Sequence, residues 1–177
     1  MADIVLTGDT SGAITVAAPA VAGTNTLTLP ASTSTLATTT DITGPAFYAK
    51  PSAAQTLSSG TWTTIAFNTE DYDTNSNYNT GTYAFTPTVA GYYYFTAVIR
   101  STGGTSRFYT KFLLNGTTSY YGNDFNFAAS SLNSNYSALI YMNGSGDSVV
   151  SQLFIQGASL ATGNGPMAFS AFLARKA

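Results

Sequence analysis

Along most of this chain the apolar residues recur at every second position and never at a helical period, which predicts strands throughout. Strands are read near 46–50, 61–67, 82–86, 91–100, 107–114, 117–121, 136–142, 148–156 and 167–174. Turn residues separate them. Asn115-Gly116 predicts a two-residue hairpin, because both central positions of that turn need positive φ. Asn143-Gly144 with Gly146-Asp147 marks another turn, and Pro87 and Gly91 bracket a third. Many short strands at this spacing predict an all-β sandwich or jelly roll.

One run breaks the apolar/polar alternation. In 90–99, AGYYYFTAVI, the pleat puts Tyr93, Phe95, Ala97 and Ile99 on one face and Tyr92, Tyr94, Thr96 and Val98 on the other. The strand at 136–142 repeats the trait, with Ala138, Ile140 and Met142 opposite Leu139 and Tyr141. Such a strand is either buried on both sides within one chain or set against another subunit. A two-layer sandwich has no third layer, which favours the subunit contact.

Residues 1–44 have another character. They are rich in Thr, Ala, Gly and Val, with the short alternating pieces Ile4-Val5-Leu6, Ile14-Thr15-Val16 and Leu27-Thr28-Leu29. Isolated pieces of this length are marginal in water. The segment reads either as a flexible linker or as a β-rich stalk that is ordered only by packing on copies of itself.

Composition narrows the function. The 177 residues suit one domain with an appendage. Only 8% are charged and the net charge is -2, which excludes the basic footprint of a nucleic-acid binder. No cysteine or histidine is present, removing disulfides, thiolate chemistry and the commonest general base. The start MADIVLTGDT has neither the charge nor the apolar run of a signal peptide, and no stretch is long enough to insert in a membrane.

Candidate chemistry is sparse. Asp71, Asp73 and Asn75 offer hard oxygens at alternate positions, as a calcium site would, or form a solvated acidic loop. Glu70, Asp71, Asp73, Asp124 and Asp147 are too scattered to mark a glycosidase pair, so no catalytic residue is assigned. Trp62, Tyr120, Tyr121, Phe125 and Phe127, with Asn123, Asn126 and Asn133, could stack on and bond to sugars, or could cover the ends of the sandwich. Arg100 and Arg107 flank Gly103-Gly104 and suit either an acidic glycan or surface ion pairs. The sequons at Asn115, Asn135 and Asn143 read as turns.

Phe85-Thr86-Pro87-Thr88-Val89-Ala90-Gly91-Tyr92-Tyr93-Tyr94-Phe95 resembles the F-t-x-p-v-x-G-x-Y-x-F signature of complement C1q-like domains. Phe112-Leu113-Leu114-Asn115-Gly116, Gly146-Asp147-Ser148-Val149 and Ala168-Phe169-Ser170-Ala171-Phe172-Leu173 resemble later motifs of that family in the right order, with Ala171 in place of a glycine. The resemblance spans about 46 to 174. It implies a ten-stranded antiparallel jelly roll of the tumour-necrosis-factor type over 45–177, assembled as a homotrimer. The trimer contact would then include Tyr92, Tyr94, Val98, Ile140 and Met142. Ser11-Gly12-Ala13-Ile14-Thr15-Val16 and Gly23-Thr24-Asn25-Thr26-Leu27-Thr28-Leu29-Pro30 resemble the spacers of bacteriophage tail-fibre proteins.

Together these resemblances imply a non-enzymatic homotrimeric fibre or spike on the virion surface. Its N-terminal segment would dock on other virion proteins, and its head would bind a host surface receptor such as a carbohydrate, without a cofactor unless calcium is held. The alternatives are a purely structural capsid decoration and a secreted bacterial adhesin. Counting antiparallel strands puts 68–81, 101–106, 122–135 and 157–166 at the end opposite the C-terminus. Receptor contact is therefore expected on 71–79, 102–107, 123–135 and 158–165, with Asp71, Asp73, Asn75, Arg100, Arg107, Tyr121, Asn123 and Asn126 as candidates.

Overall fold

A computed structural model describes residues 4–7, 13–16, 24, 44–126, 129–157, 160–162 and 166–177. The chain divides into two units, Met1–Ala37 and Thr38–Ala177. In the first, β1 (Ile4–Thr7) and β2 (Ala13–Val16) form an antiparallel pair with Ile4 opposite Val16. These are two of the three expected pieces; the third, Leu27 to Leu29, lies outside the described residues.

In the second unit every described element is a strand, and every pairing is antiparallel. The strands are β3 (Ala46–Lys50), β4 (Thr56–Leu57), β5 (Thr61–Thr64), β6 (Thr69–Asp73), β7 (Tyr78–Asn79), β8 (Ala84–Phe85) and β9 (Gly91–Leu114), followed by β10 (Thr118–Phe125), β11 (Ala129–Met142), β12 (Val149–Gly157), β13 (Leu160–Thr162) and β14 (Ala168–Lys176). The expected count was about ten. The difference comes from two-residue and three-residue strands too short to show a period, from the polar five-residue β6, and from one fusion.

That fusion organises the fold. The predicted strands 91–100 and 107–114 are a single 24-residue strand, β9, so 101–106 is not a loop. Its first half pairs with β14 and β11 and its second half with β12 and β10. Gly103 and Gly104 lie where it passes from one layer to the other. Register shifts between Ala129 and Ser131 and between Gln156 and Gly157 flank the same point. Glycine without a side chain, with a bulge on each neighbouring strand, lets a ladder bend without ending. Likewise β10 and β11 follow β9 from Leu114 back to Gly91, leaving only 126–128 of the predicted loop 122–135 between them. The jelly roll is thus a long ribbon folded over, with a front layer β6-β3-β14-β9-β11 and a back layer β5-β12-β9-β10.

Between the layers lies an aromatic core. Tyr93, Phe95, Ala97 and Ile99 are buried, as the pleat predicts. Phe169 is the hub: its ring meets Phe47 at 5.0 Å, Phe67 at 5.7 Å, Phe112 at 5.8 Å, Phe95 at 6.0 Å and Tyr78 at 6.1 Å. Most polar groups inside are paired, the exception among the described residues being the Ser101 hydroxyl, which is buried without a partner. Tyr136 Oη lies 2.7 Å from Ser151 Oγ and donates to Lys111 O at 3.2 Å, and burial holds its phenol above the ordinary tyrosine range. Burial also pushes Tyr93 up to about 12, while its hydroxyl donates to Val89 O.

The tight turns gather where the chain ends. Asn115 (φ 53) and Gly116 (φ 69) form the expected hairpin turn. Asn115 Nδ2 donates to Asp147 Oδ1 at 2.8 Å, joining it to the Asn143–Asp147 turn, and Ala177 N donates to Ala90 O at 3.2 Å.

Candidate functional site

The outer faces of the two layers carry different chemistry. On the front layer, cross-strand partners share a face, and the register sets Tyr141 opposite Tyr92, Leu139 opposite Tyr94, and Phe172 opposite Tyr94 on the other side. Tyr92, Tyr94, Leu139, Tyr141 and Phe172 are 42%, 39%, 56%, 45% and 51% exposed. Their rings touch, Tyr92 to Tyr141 at 5.4 Å and Tyr94 to Phe172 at 5.7 Å. Val98 is partly buried on the same strand face. Ile140 and Met142, expected at this contact, are instead fully buried in the core. Ile140 pairs with Tyr93, so it shares the inward face, and the outward residues of β11 are Leu139 and Tyr141.

The back layer presents a mixed aromatic and charged face. One row crosses four strands: Trp62, Phe154, Tyr109 and Asp124. The next row is Thr64, Gln152, Lys111 and Tyr121. Trp62 lies 5.2 Å from Tyr109, 5.6 Å from Phe154 and 6.2 Å from Tyr121, and Tyr109 stacks on Tyr121 at 5.0 Å. Lys111 Nζ sits 4.3 Å from the Trp62 centroid and donates to Ser119 Oγ at 3.1 Å. Arg107 lies over Tyr109 and Phe154 and binds Asp124 through two hydrogen bonds, Nε to Oδ1 at 2.9 Å and Nη2 to Oδ2 at 2.7 Å. Those bonds lower the Asp124 pKa and raise that of Arg107.

Of the residues expected to contact a receptor, Arg107 and Tyr121 are therefore brought together, and with Trp62. The others are not. Asn123 is tied inward, its Nδ2 donating to Ser134 Oγ and Asn135 O at 3.0 Å and its N to Thr110 Oγ1. Arg100 donates to Ser131 Oγ at 3.4 Å, and Asn126 is exposed beyond β10. The segment 68–81 is not one loop at the far end. Strand β6 runs back beside β3, so Thr74 N donates to Ala46 O and Thr86 N to Asn77 O, which puts Asp73, Asn75 and Asn77 at the tight-turn end. The oxygens sought for calcium are engaged there. Asp71 pairs with Lys50, Asp73 accepts from the Asn75 and Tyr78 amides, and Asn75 Oδ1 accepts from Thr74. No group of three or more acidic or other metal-binding side chains converges among the described residues. Tyr120 and Phe125 pack against the core, while Phe127, Ala158 and Gly163 to Gly165 lie outside the described residues.

Tyr109, Lys111 and Phe154 were missed. Each stands at an outward position of a correctly read strand, but only the pairing of β5, β12, β9 and β10 shows that these positions meet Trp62.

The C1q domain model matches residues 46–174. Among solved structures, the globular domain of zebrafish complement 1qA is 24% identical with a TM-score of 0.58, covering 76% of this chain and 99% of that one. Murine APRIL is 7% identical, with a TM-score of 0.57 over 73% of this chain and 98% of that one. Eiger TNF from S. frugiperda is 8% identical, with a TM-score of 0.51 over 76% and 94%. At these identities the structural likeness speaks for the fold alone, and no curated protein sequence matches. The family match is of another kind: it covers the whole sandwich from β3 into β14, with the signature strand and its buried Tyr93 and Phe95 in place, and by it the chain belongs to the C1q domain family.

Proposed function

We propose that this protein is a non-enzymatic homotrimer that forms the head of a bacteriophage fibre or spike and attaches the virion to a host surface receptor. The observation that carries it is the front-layer face of Tyr92, Tyr94, Leu139, Tyr141 and Phe172, an apolar patch left exposed by the described residues of the sandwich. Contiguous exposed apolar surface of this kind marks an interaction site. A closed ring of three copies is an assembly that would cover the patch in every subunit alike. The virion assignment rests on the N-terminal likeness to phage fibre spacers, through which the chain would dock on other virion proteins. The scattered carboxylates support a binding rather than a catalytic role. Asp71 and Asp124 are ion-paired, and Asp147 accepts from Asn115 and Asn143.

Three measurements test this. Sedimentation equilibrium at micromolar concentration is expected to give a trimer, and a monodisperse monomer overturns the assembly. Particle images decorated with an antibody to the chain are expected to place it on a fibre or spike, and free head protein is expected to slow adsorption of the particles to host cells. Label spread over the capsid shell, with adsorption unchanged, would favour a decoration protein.

A further inference from the structure

We infer that the outer face of the back layer is a saccharide-binding platform, distinct from the oligomer face and from the far-end loops. The inference deepens the attachment reading above and rests on it for its biological role, but not for its chemistry. The rows Trp62-Phe154-Tyr109-Asp124 and Thr64-Gln152-Lys111-Tyr121 cross four strands, a width of about 14 Å at the usual interstrand spacing. That is a flat surface for a short run of sugar rings rather than a pocket for one small molecule.

Its chemistry matches the two sides of a pyranose. The C–H face of a sugar ring is apolar and packs on an aromatic plane, while its equatorial hydroxyls project sideways and need donors and acceptors in the same layer. Tyr121 is 59% exposed and is backed by the stacked Tyr109 ring, and Trp62 is partly exposed beside it. At the edge, Arg107 and Asp124 lie side by side in a two-point pair, a fixed array of N–H donors and carboxylate acceptors that can each bond a further hydroxyl. In the second row Gln152 donates to Thr64 Oγ1 at 3.1 Å, and its own carbonyl oxygen has no partner among the described residues.

The rings are also held in advance. Lys111 is buried under Trp62 and Tyr121, its ammonium 4.3 Å from one centroid and 5.9 Å from the other. Arg107 braces Tyr109 and Phe154 from the opposite side. Locking side chains before the ligand arrives lowers the ordering penalty of binding, which matters most for weak, shallow contacts such as those to sugars. The platform carries two of the six Lys and Arg residues of the chain against one carboxylate, so neutral and anionic glycans fit and cationic ones do not. A second copy of the chain is a poorer occupant, because it would have to desolvate the exposed Arg107–Asp124 pair without offering it the hydroxyl partners that a sugar brings.

Trp62 is the only tryptophan, so its emission reports on this face alone. The test uses the full-length protein on an array of microbial-surface oligosaccharides, followed by titration of the strongest binder while reading Trp62 fluorescence. We expect a saturable change in emission. Tyr121→Ala and Arg107→Ala should each weaken binding by about tenfold, while the exposed Glu70→Gln on β6 leaves it unchanged. Sedimentation of each variant verifies that assembly is intact. No array signal above that of the Trp62→Leu/Tyr121→Ala double variant overturns the platform, as does binding that is indifferent to Tyr121→Ala and Arg107→Ala. The two readings separate cleanly. Glycan binding lost in Tyr121→Ala, with normal adsorption of particles carrying that change, upholds the platform and sinks host attachment through it. A trimer that adsorbs yet binds no sugar does the reverse.

Discussion

Replacing Tyr94 and Phe172 together by serine tests the proposed oligomer face most directly. The two rings are in contact at 5.7 Å and are 39% and 51% exposed in the isolated chain. A whole aromatic side chain amounts to about 200 Å², so together the exposed parts come to about 180 Å². At about 25 cal/mol per Å², covering them contributes about 4.5 kcal/mol per subunit, or some three orders of magnitude in a dissociation constant. Neither side chain belongs to the buried core, so the fold should survive. Sedimentation equilibrium of the double variant should then show mostly monomer at concentrations where the wild type is fully assembled, with near-ultraviolet circular dichroism unchanged. A variant as fully assembled as the wild type across a hundredfold dilution would refute the reasoning, because the exposed rings would then contribute nothing to association.

Phe169→Ala should destabilise the head by about 3–5 kcal/mol in urea unfolding, since it empties the point where five other rings converge; a loss under 1 kcal/mol would mean the core collapses to fill the gap. Raising the pH should unfold the protein through its buried phenols. Tyr93 is raised from 10.0 to about 12, and Tyr78 and Tyr136 are raised further by burial. Their contribution is complete below pH 10, where the unfolded chain also keeps its protons, and falls away as the pH climbs through 12 and beyond. Tyrosinate absorbance and circular dichroism followed together check this, and stability unchanged from pH 9 to 12 would contradict it.

What the sequence disclosed was whatever depends on one strand at a time. The pleat of AGYYYFTAVI assigned Tyr93, Phe95, Ala97 and Ile99 to the core, and Asn115-Gly116 announced its turn by the positive φ both residues need. Features that depend on two strands at once were hidden. Ile140 and Leu139 are equally apolar, and only the pairing of Ile140 with Tyr93 decides which one faces inward. Gly103-Gly104 read as a loop because glycine there means either a turn or a bend, and the bulges that make it a bend lie on β11 and β12. Asp73 and Asn75 were placed at the wrong end, and Asp71 in a loop, because β6 is too polar to register as a strand, its residues mostly exposed. The platform around Trp62 was half legible: Trp62, Tyr121 and Arg107 stood out singly, and the register that unites them did not.

The two outer faces also differ in how their rings are kept. On the front layer the exposed rings pair with one another, Tyr92 with Tyr141 and Tyr94 with Phe172, beside the exposed Leu139, which leaves their solvation unfavourable until something covers them. On the back layer the rings are interleaved with the exposed Arg107–Asp124 pair, so the face is wetted by charge and can remain open. An exposed ion pair such as Arg107–Asp124 adds little to the stability of a fold. In a chain with only six cationic and eight anionic residues, its place among four aromatic side chains is therefore poorly explained by stability. A surface that must stay soluble while keeping flat rings available explains it better. The apolar front face suits permanent burial against sister subunits, and the charged aromatic back face suits a reversible encounter with a polar ligand.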